Sequence, residues 1–176
     1  GEAFDKVARA IGLGYPGGPK IEKAAREGNP NAISFPKAKI ADNPYDFSFS
    51  GVKSAVLNYI NGCRMKQIPI VEADIAASFQ KAVTDVLIEH AMAAVKESRI
   101  KKLAIAGGVA ANGALRRGMQ EACQRRGIEF FYPTPIFCTD NAAMIGTAAY
   151  YEYLSGKRDG WDLNAIPNLK FGQARN

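Results

Sequence analysis

Two strand-to-helix turns and one glycine-proline turn hold the residues best suited to chemistry. In Ala106-Gly107-Gly108-Val109-Ala110-Ala111-Asn112 a short apolar run ends in two glycines, and a helix follows. Glycines let a ligand approach the backbone, and the start of a helix favours an anion or a polar group. Asn112 could hydrogen-bond a ribose or a base, or serve as the helix cap. No Gly-Lys-Ser/Thr follows, so this is not a Walker loop. In Phe137-Cys138-Thr139-Asp140-Asn141-Ala142-Ala143-Met144-Ile145 a carboxylate lies just before a helix. That is where α/β proteins hold ligand groups, outside the carboxyl ends of strands. Asp140 could bind a metal there, or simply cap the helix; the cap is the plainer reading.

The third turn is Tyr15-Pro16-Gly17-Gly18-Pro19, preceded by Asp5. Such a turn is stiff at both ends and exposes backbone groups. Asp5 could face it and hold a hydroxyl, or be a surface carboxylate beside Lys6 and Arg9. In Phe47-Ser48-Phe49-Ser50-Gly51-Val52-Lys53, Ser50 is placed to cap a helix. Lys53 in the first turn opposes the helix dipole and hints at a phosphate. The lone histidine, His90, falls inside the longest helical pattern and reads as structural or exposed; no His-Glu-x-x-His is present. Basic residues pair up at Arg99, Lys101 and Lys102, at Arg116 and Arg117, and at Arg125 and Arg126. They form either an RNA-facing surface or solvated helix ends.

The elements that must position these groups follow from periodicity. Helices are predicted over residues 2–12, 19–27, 50–62, 69–98 (or from Asp74), 113–126 and 140–154 (or from Asn141). Short β-like pieces are predicted at 33–35 and 47–49, and strands at 102–106 and 128–132. From Leu103 onward the order strand, glycine turn, helix, strand, helix is an α/β arrangement. Residues 1–62 read as a helical insertion and the start of a lobe. Residues 63–155 read as its α/β core, and 156–176 as an irregular tail.

Composition sets outer limits. An apolar fraction of 47% suits a packed core. No apolar run reaches the roughly 20 residues that span a bilayer, so no membrane role is expected. A net charge of +6 permits an RNA or phosphate partner. Cys63, Cys123 and Cys138 have neither metal-type nor redox-type spacing and read as packing residues in a reducing, cytoplasmic compartment.

Five segments together resemble the tRNA adenosine threonylcarbamoyltransferase family, once called O-sialoglycoprotein endopeptidases. They are the run from Gly1 to Arg9, the run from Gly12 to Pro19, the run from Phe47 to Lys53, the run from Gly107 to Asn112 and the run from Cys138 to Ile145. The resemblance implies the C-terminal lobe of an actin-like ATPase (RNase H-like) fold with a helical insertion. It implies transfer of a threonylcarbamoyl group from threonylcarbamoyl-AMP to the tRNA adenosine beside the anticodon. It further implies that Asp5, Gly18, Glu22 and Asn112 contact that adenylate or an adenine nucleotide. Asp140 would bind one iron or zinc ion. The family's two metal-binding histidines and its Ser-Gly-Gly-His segment have no match here and would belong to a missing N-terminal half. Part of the lobe's own sheet would precede Gly1, leaving an exposed sheet edge. The chain alone is therefore expected to be inactive. Further partners implied are an inactive paralogue and the ATPase components of the modification complex. The alternatives are a non-catalytic nucleotide-binding module of the same fold, a metallo-glycopeptidase and a sugar kinase.

Overall fold

Glycines set the limits of the first two helices. The computed structural model describes residues 1–37 and 45–170. Helix α1, Glu2–Ala10, buries Phe4, Val7 and Ala8 at the spacing of one helical face. Gly12 and Gly14 then take positive φ angles of 84° and 75°, and the helix stops. Helix α2, Gly17–Ala25, starts at the glycine pair and buries Gly17 and Ile21. Helix α3, Ser50–Met65, buries Val52, Val56, Ile60 and Cys63 and runs past the predicted end at Gly62. Helix α4, Glu72–Ser98, is the longest.

The first half of α4 closes one core. Ile75, Phe79, Val83 and their neighbours meet Phe4, Val7, Ile21, Val56 and Ile60. Its second half closes another core, where Met92 and Val95 meet Leu115, Met119, Cys123 and Ile128. One continuous helix therefore fixes the helical layer relative to the α/β layer. Strand β1, Lys102–Ala104, and strand β2, Glu129–Phe131, are parallel, with Leu103 opposite Phe130. The crossover between them contains a 3-10 turn, Gly108–Ala111, and helix α5, Gly113–Gln124. Among the described residues β1 pairs with β2 alone. Leu103 and Ile105 line a cleft of about 430 Å³ together with Leu87, His90, Phe47 and Met119.

The two β-like pieces predicted at 33–35 and 47–49 are not strands. Their aromatic residues pack on helices and, for Phe47 and Phe49, on each other, with no ladder partner. Phe35 is buried and lies edge-on to Tyr59. Phe47 stacks on His90, with ring centroids 4.9 Å apart. The backbone N–H of Ile33 goes to the Ser78 hydroxyl, not to a neighbouring strand. Apolar spacing alone does not separate a strand from a loop with anchors.

The chain divides into two compact units, Gly1–Thr139 and Asp140–Asn176. The second contains helix α6, Ala142–Leu154, whose Ile145, Tyr150, Tyr151 and Tyr153 are all exposed. No helix among the described residues is long and apolar enough to cross a membrane. All three cysteines are free and buried. Burial pushes the Cys123 thiol above its ordinary range, against a small opposing pull from Arg126.

Candidate functional site

The site grows from the contact of α1 with α2. Gly17 is so close to α1 that a Cβ there would lie 2.5 Å from Asp5 Cα and 2.5 Å from the Phe4 carbonyl oxygen. That approach puts the Gly17 N–H at 2.7 Å from Asp5 Oδ1. A carboxylate thus accepts from the free N–H at the start of α2, where the helix dipole favours it. Asp5 is held at the turn, and the surface-carboxylate reading is set aside.

Gly18 has a different environment. A Cβ built on it meets nothing within 4 Å. Packing does not require glycine at this position, and its φ is not in the left-handed region. Glu22 stands four residues on, so Gly18 and Glu22 share one face of α2. Glu22 Oε1 accepts from the Gly113 N–H at 3.2 Å and lies 3.6 Å from Arg26 Nη2. Gly113 opens α5, so the carboxylate already occupies part of the anion-favouring helix start that the sequence offered to a ligand.

Asn112 is the cap of the following helix, and its amide is bonded to a second protein group. Its Oδ1 accepts from the Leu115 N–H at 3.0 Å, which makes it the cap of α5. Its Nδ2 donates to Gln80 Oε1 at 2.7 Å, tying the turn to the middle of α4. The side chain is buried. Asp5 is therefore tied to the start of α2, and Glu22 to the start of α5 next to the buried Asn112, through the Asp5–Gly17 and Glu22–Gly113 bonds.

Asp140 belongs to the second unit. Asn141, not Asp140, caps α6: its Oδ1 accepts from the Met144 N–H at 2.9 Å. The capping reading of Asp140 is thereby corrected, and its carboxylate, exposed to solvent, is not consumed by the helix. Ser50 likewise does not cap α3, since Phe49 takes that position and no side chain accepts there. Lys53 lines a shallow cleft with Glu2 and Lys6. His90 is packed against Phe47 and has its Nδ1 buried without a hydrogen-bond partner among the described residues. No group of three or more metal-binding side chains occurs among the described residues.

Arg116 fits neither the RNA-facing nor the solvated-end reading of the basic pairs. Its guanidinium points inward. Nε donates to the Ala110 carbonyl, and Nη2 donates to the Pro133 carbonyl at 2.7 Å and to Cys138 Sγ at 3.0 Å. It also lies 4.8 Å from the Tyr132 ring centroid. One side chain thus fastens the glycine turn after β1 to the loop after β2. Gln80 carried no sequence signal as a site residue, and the signal at Arg116 pointed to the wrong role, because both act through partners distant in the chain.

Comparison with known proteins now places the fold. The sequence profile described as tRNA N6-adenosine threonylcarbamoyltransferase matches residues 1–147. Curated relatives of that name include one from Clostridium botulinum (strain 657 / Type Ba4), 59% identical over 98% of this chain. Another, from Clostridium novyi (strain NT), is 62% identical over 98% of this chain. In both cases the chain spans 51% of the relative, about half its length. Among solved structures, the crystal structure of T. kodakarensis HypF superposes with a TM-score of 0.59. That match covers 88% of this chain and 20% of the other, at 23% identity, and speaks to fold alone.

Proposed function

This chain belongs to the tRNA N6-adenosine threonylcarbamoyltransferase family, and we propose that it forms the C-terminal, adenylate-holding part of such an enzyme. The family is a transferase acting in tRNA modification, on an actin-like ATPase fold. The full reaction passes the threonylcarbamoyl group from threonylcarbamoyl-AMP to the tRNA adenosine adjacent to the anticodon.

The observation that carries this reading is the Glu22–Gly113 bond. It joins the α2 face that bears Gly18 and Glu22 to the start of α5, which follows the buried Asn112. The chemistry of that surface suits a nucleoside. Asp5 and Glu22 are carboxylates, each held through one oxygen by a backbone N–H. Their remaining acceptor capacity fits ribose hydroxyls and repels phosphate. The ligand's phosphate is better placed toward Gly107 and Gly108. Both are exposed, and Gly107, at a φ of 85°, holds the open turn before the 3-10 segment. Gly18, with open space around it, lets a flat base or sugar approach the backbone.

Asp140 fits as one ligand of an iron or zinc ion, since both accept carboxylate beside imidazole. A complete site needs further donors, which the remaining half of the relatives' length would supply. The metal would polarise the carbonyl or hold the phosphate of the adenylate when bound. The rest of the catalytic constellation, the further sheet strands beside β1 and the docking of complex partners belong to that other half in this reading.

The test combines the chain with the complementary half of a curated relative, iron or zinc, tRNA lacking the modification, and labelled threonylcarbamoyl-AMP. Label is expected in tRNA only when both halves are present. Transfer by the chain alone contradicts the division of labour. So does failure of the combination to bind the adenylate when the intact relative binds it.

A further inference from the structure

We propose that the basic cleft at the amino end of the sheet is a contact for the phosphate backbone of the tRNA, separate from the adenylate surface. This rests on the tRNA reading above. The cleft has a volume of about 420 Å³. Four cations line it: Lys96 and Arg99 from the end of α4, Lys101 from the lead into β1, and Arg126 from the turn before β2. Its floor is apolar, formed by Val95, Ile100 and Ile128.

Three observations describe this cleft. First, the cations converge from three chain segments, and none forms an ion pair among the described residues. Neighbouring Lys102 and Arg125, by contrast, are matched by Glu129 and Glu121. Attraction to the carboxyl end of α4 accounts for Lys96, and Arg126 Nη1 donates to the Met92 carbonyl of α4 at 3.1 Å; neither accounts for Arg99 or Lys101. Second, Arg99 occupies a left-handed conformation, φ 56° and ψ 22°, at the helix end. Glycine is the residue that this position favours, because a Cβ is strained there. Gln67, just past the end of α3, takes a similar φ of 54°, so at Arg99 the conformation matters only because that side chain lines the cleft. Third, the cleft sits beside the first residues of the two parallel strands, whereas Gly107 and Gly108 follow the last residues of β1. Arginine and lysine side chains around an apolar floor suit phosphates flanking a sugar.

The experiment is salt-dependent binding of fluorescent tRNA to the chain, followed by anisotropy. Each lost phosphate contact lowers the log–log salt slope by about one. The double variant Lys96→Gln/Lys101→Gln is expected to lose about two units of slope and about tenfold in affinity near 100 mM salt. A control pair with the same charge change, Arg64→Gln/Lys66→Gln at the end of α3, is expected to change affinity by less than about twofold. Arg99→Gly is expected to weaken tRNA binding by about threefold while Tm holds or rises, a combination that a purely structural Arg99 would not give. Equal losses in the two double variants would reduce the effect to net charge and overturn the proposal. Absence of tRNA binding by the chain, or tighter binding of polyglutamate than of tRNA, would also overturn it. Adenylate binding in the two-half assembly should be unchanged in all these variants. Loss of that binding in the unmodified assembly would sink the transferase reading without touching this one.

Discussion

Gly17→Ala is expected to destabilise the first unit by about 3–5 kcal/mol, from overpacking and from a lost charge-assisted hydrogen bond. The added methyl would lie 2.5 Å from two backbone positions of α1, and backbone cannot rotate away as a side chain does. The helices must separate, and the Gly17 N–H then leaves Asp5 Oδ1. Separation also opens the packing of Ile21 against Phe4 and Val7. Urea denaturation measures the loss directly. A cost below about 1 kcal/mol would mean that α1 and α2 do not meet as described.

Phe79→Ala carries a comparable cost by a different route. Phe79 is fully buried on α4 and meets the Phe4 ring edge-on, with centroids 5.1 Å apart. Removing the ring loses its transfer free energy and leaves a cavity between α1 and α4. The expected loss is about 3–5 kcal/mol. Because α4 also closes the second core, unfolding followed at either core should shift to the same lower denaturant concentration. Two separated transitions would show that α4 does not couple the layers.

Much of this was legible in the sequence, and the exceptions have a common cause. The α4 stripe, the glycine stops after α1 and the Asn112 cap are local patterns, settled within a few residues of chain. The misread pieces are those whose partners are remote. Phe35 and Phe47 carry strand-like neighbours, yet their rings are held by Tyr59 and His90 on helices. Arg116 looks like half of a surface basic pair until the loop after β2 is folded over it. Glu22 and Gly113 are 91 positions apart, and nothing in either segment announces their bond. Ser50 and Asp140 illustrate a smaller limit: the cap fell to a neighbouring residue in each case, a one-residue ambiguity that spacing alone leaves open.

The adenylate surface is most directly tested at Gly18. Packing places no demand for glycine there, and alanine is the better helix former, so Gly18→Ala should hold or raise stability by up to about 1 kcal/mol. Calorimetric titration of the two-half assembly with a non-hydrolysable threonylcarbamoyl-AMP analogue would compare this variant with the unmodified chain. The account predicts an affinity loss of about tenfold or more at unchanged or higher Tm, because the methyl enters the space kept for the ligand. Full affinity in the variant, with Tm equally unaffected, would mean that the ligand does not approach α2 and that the site lies elsewhere.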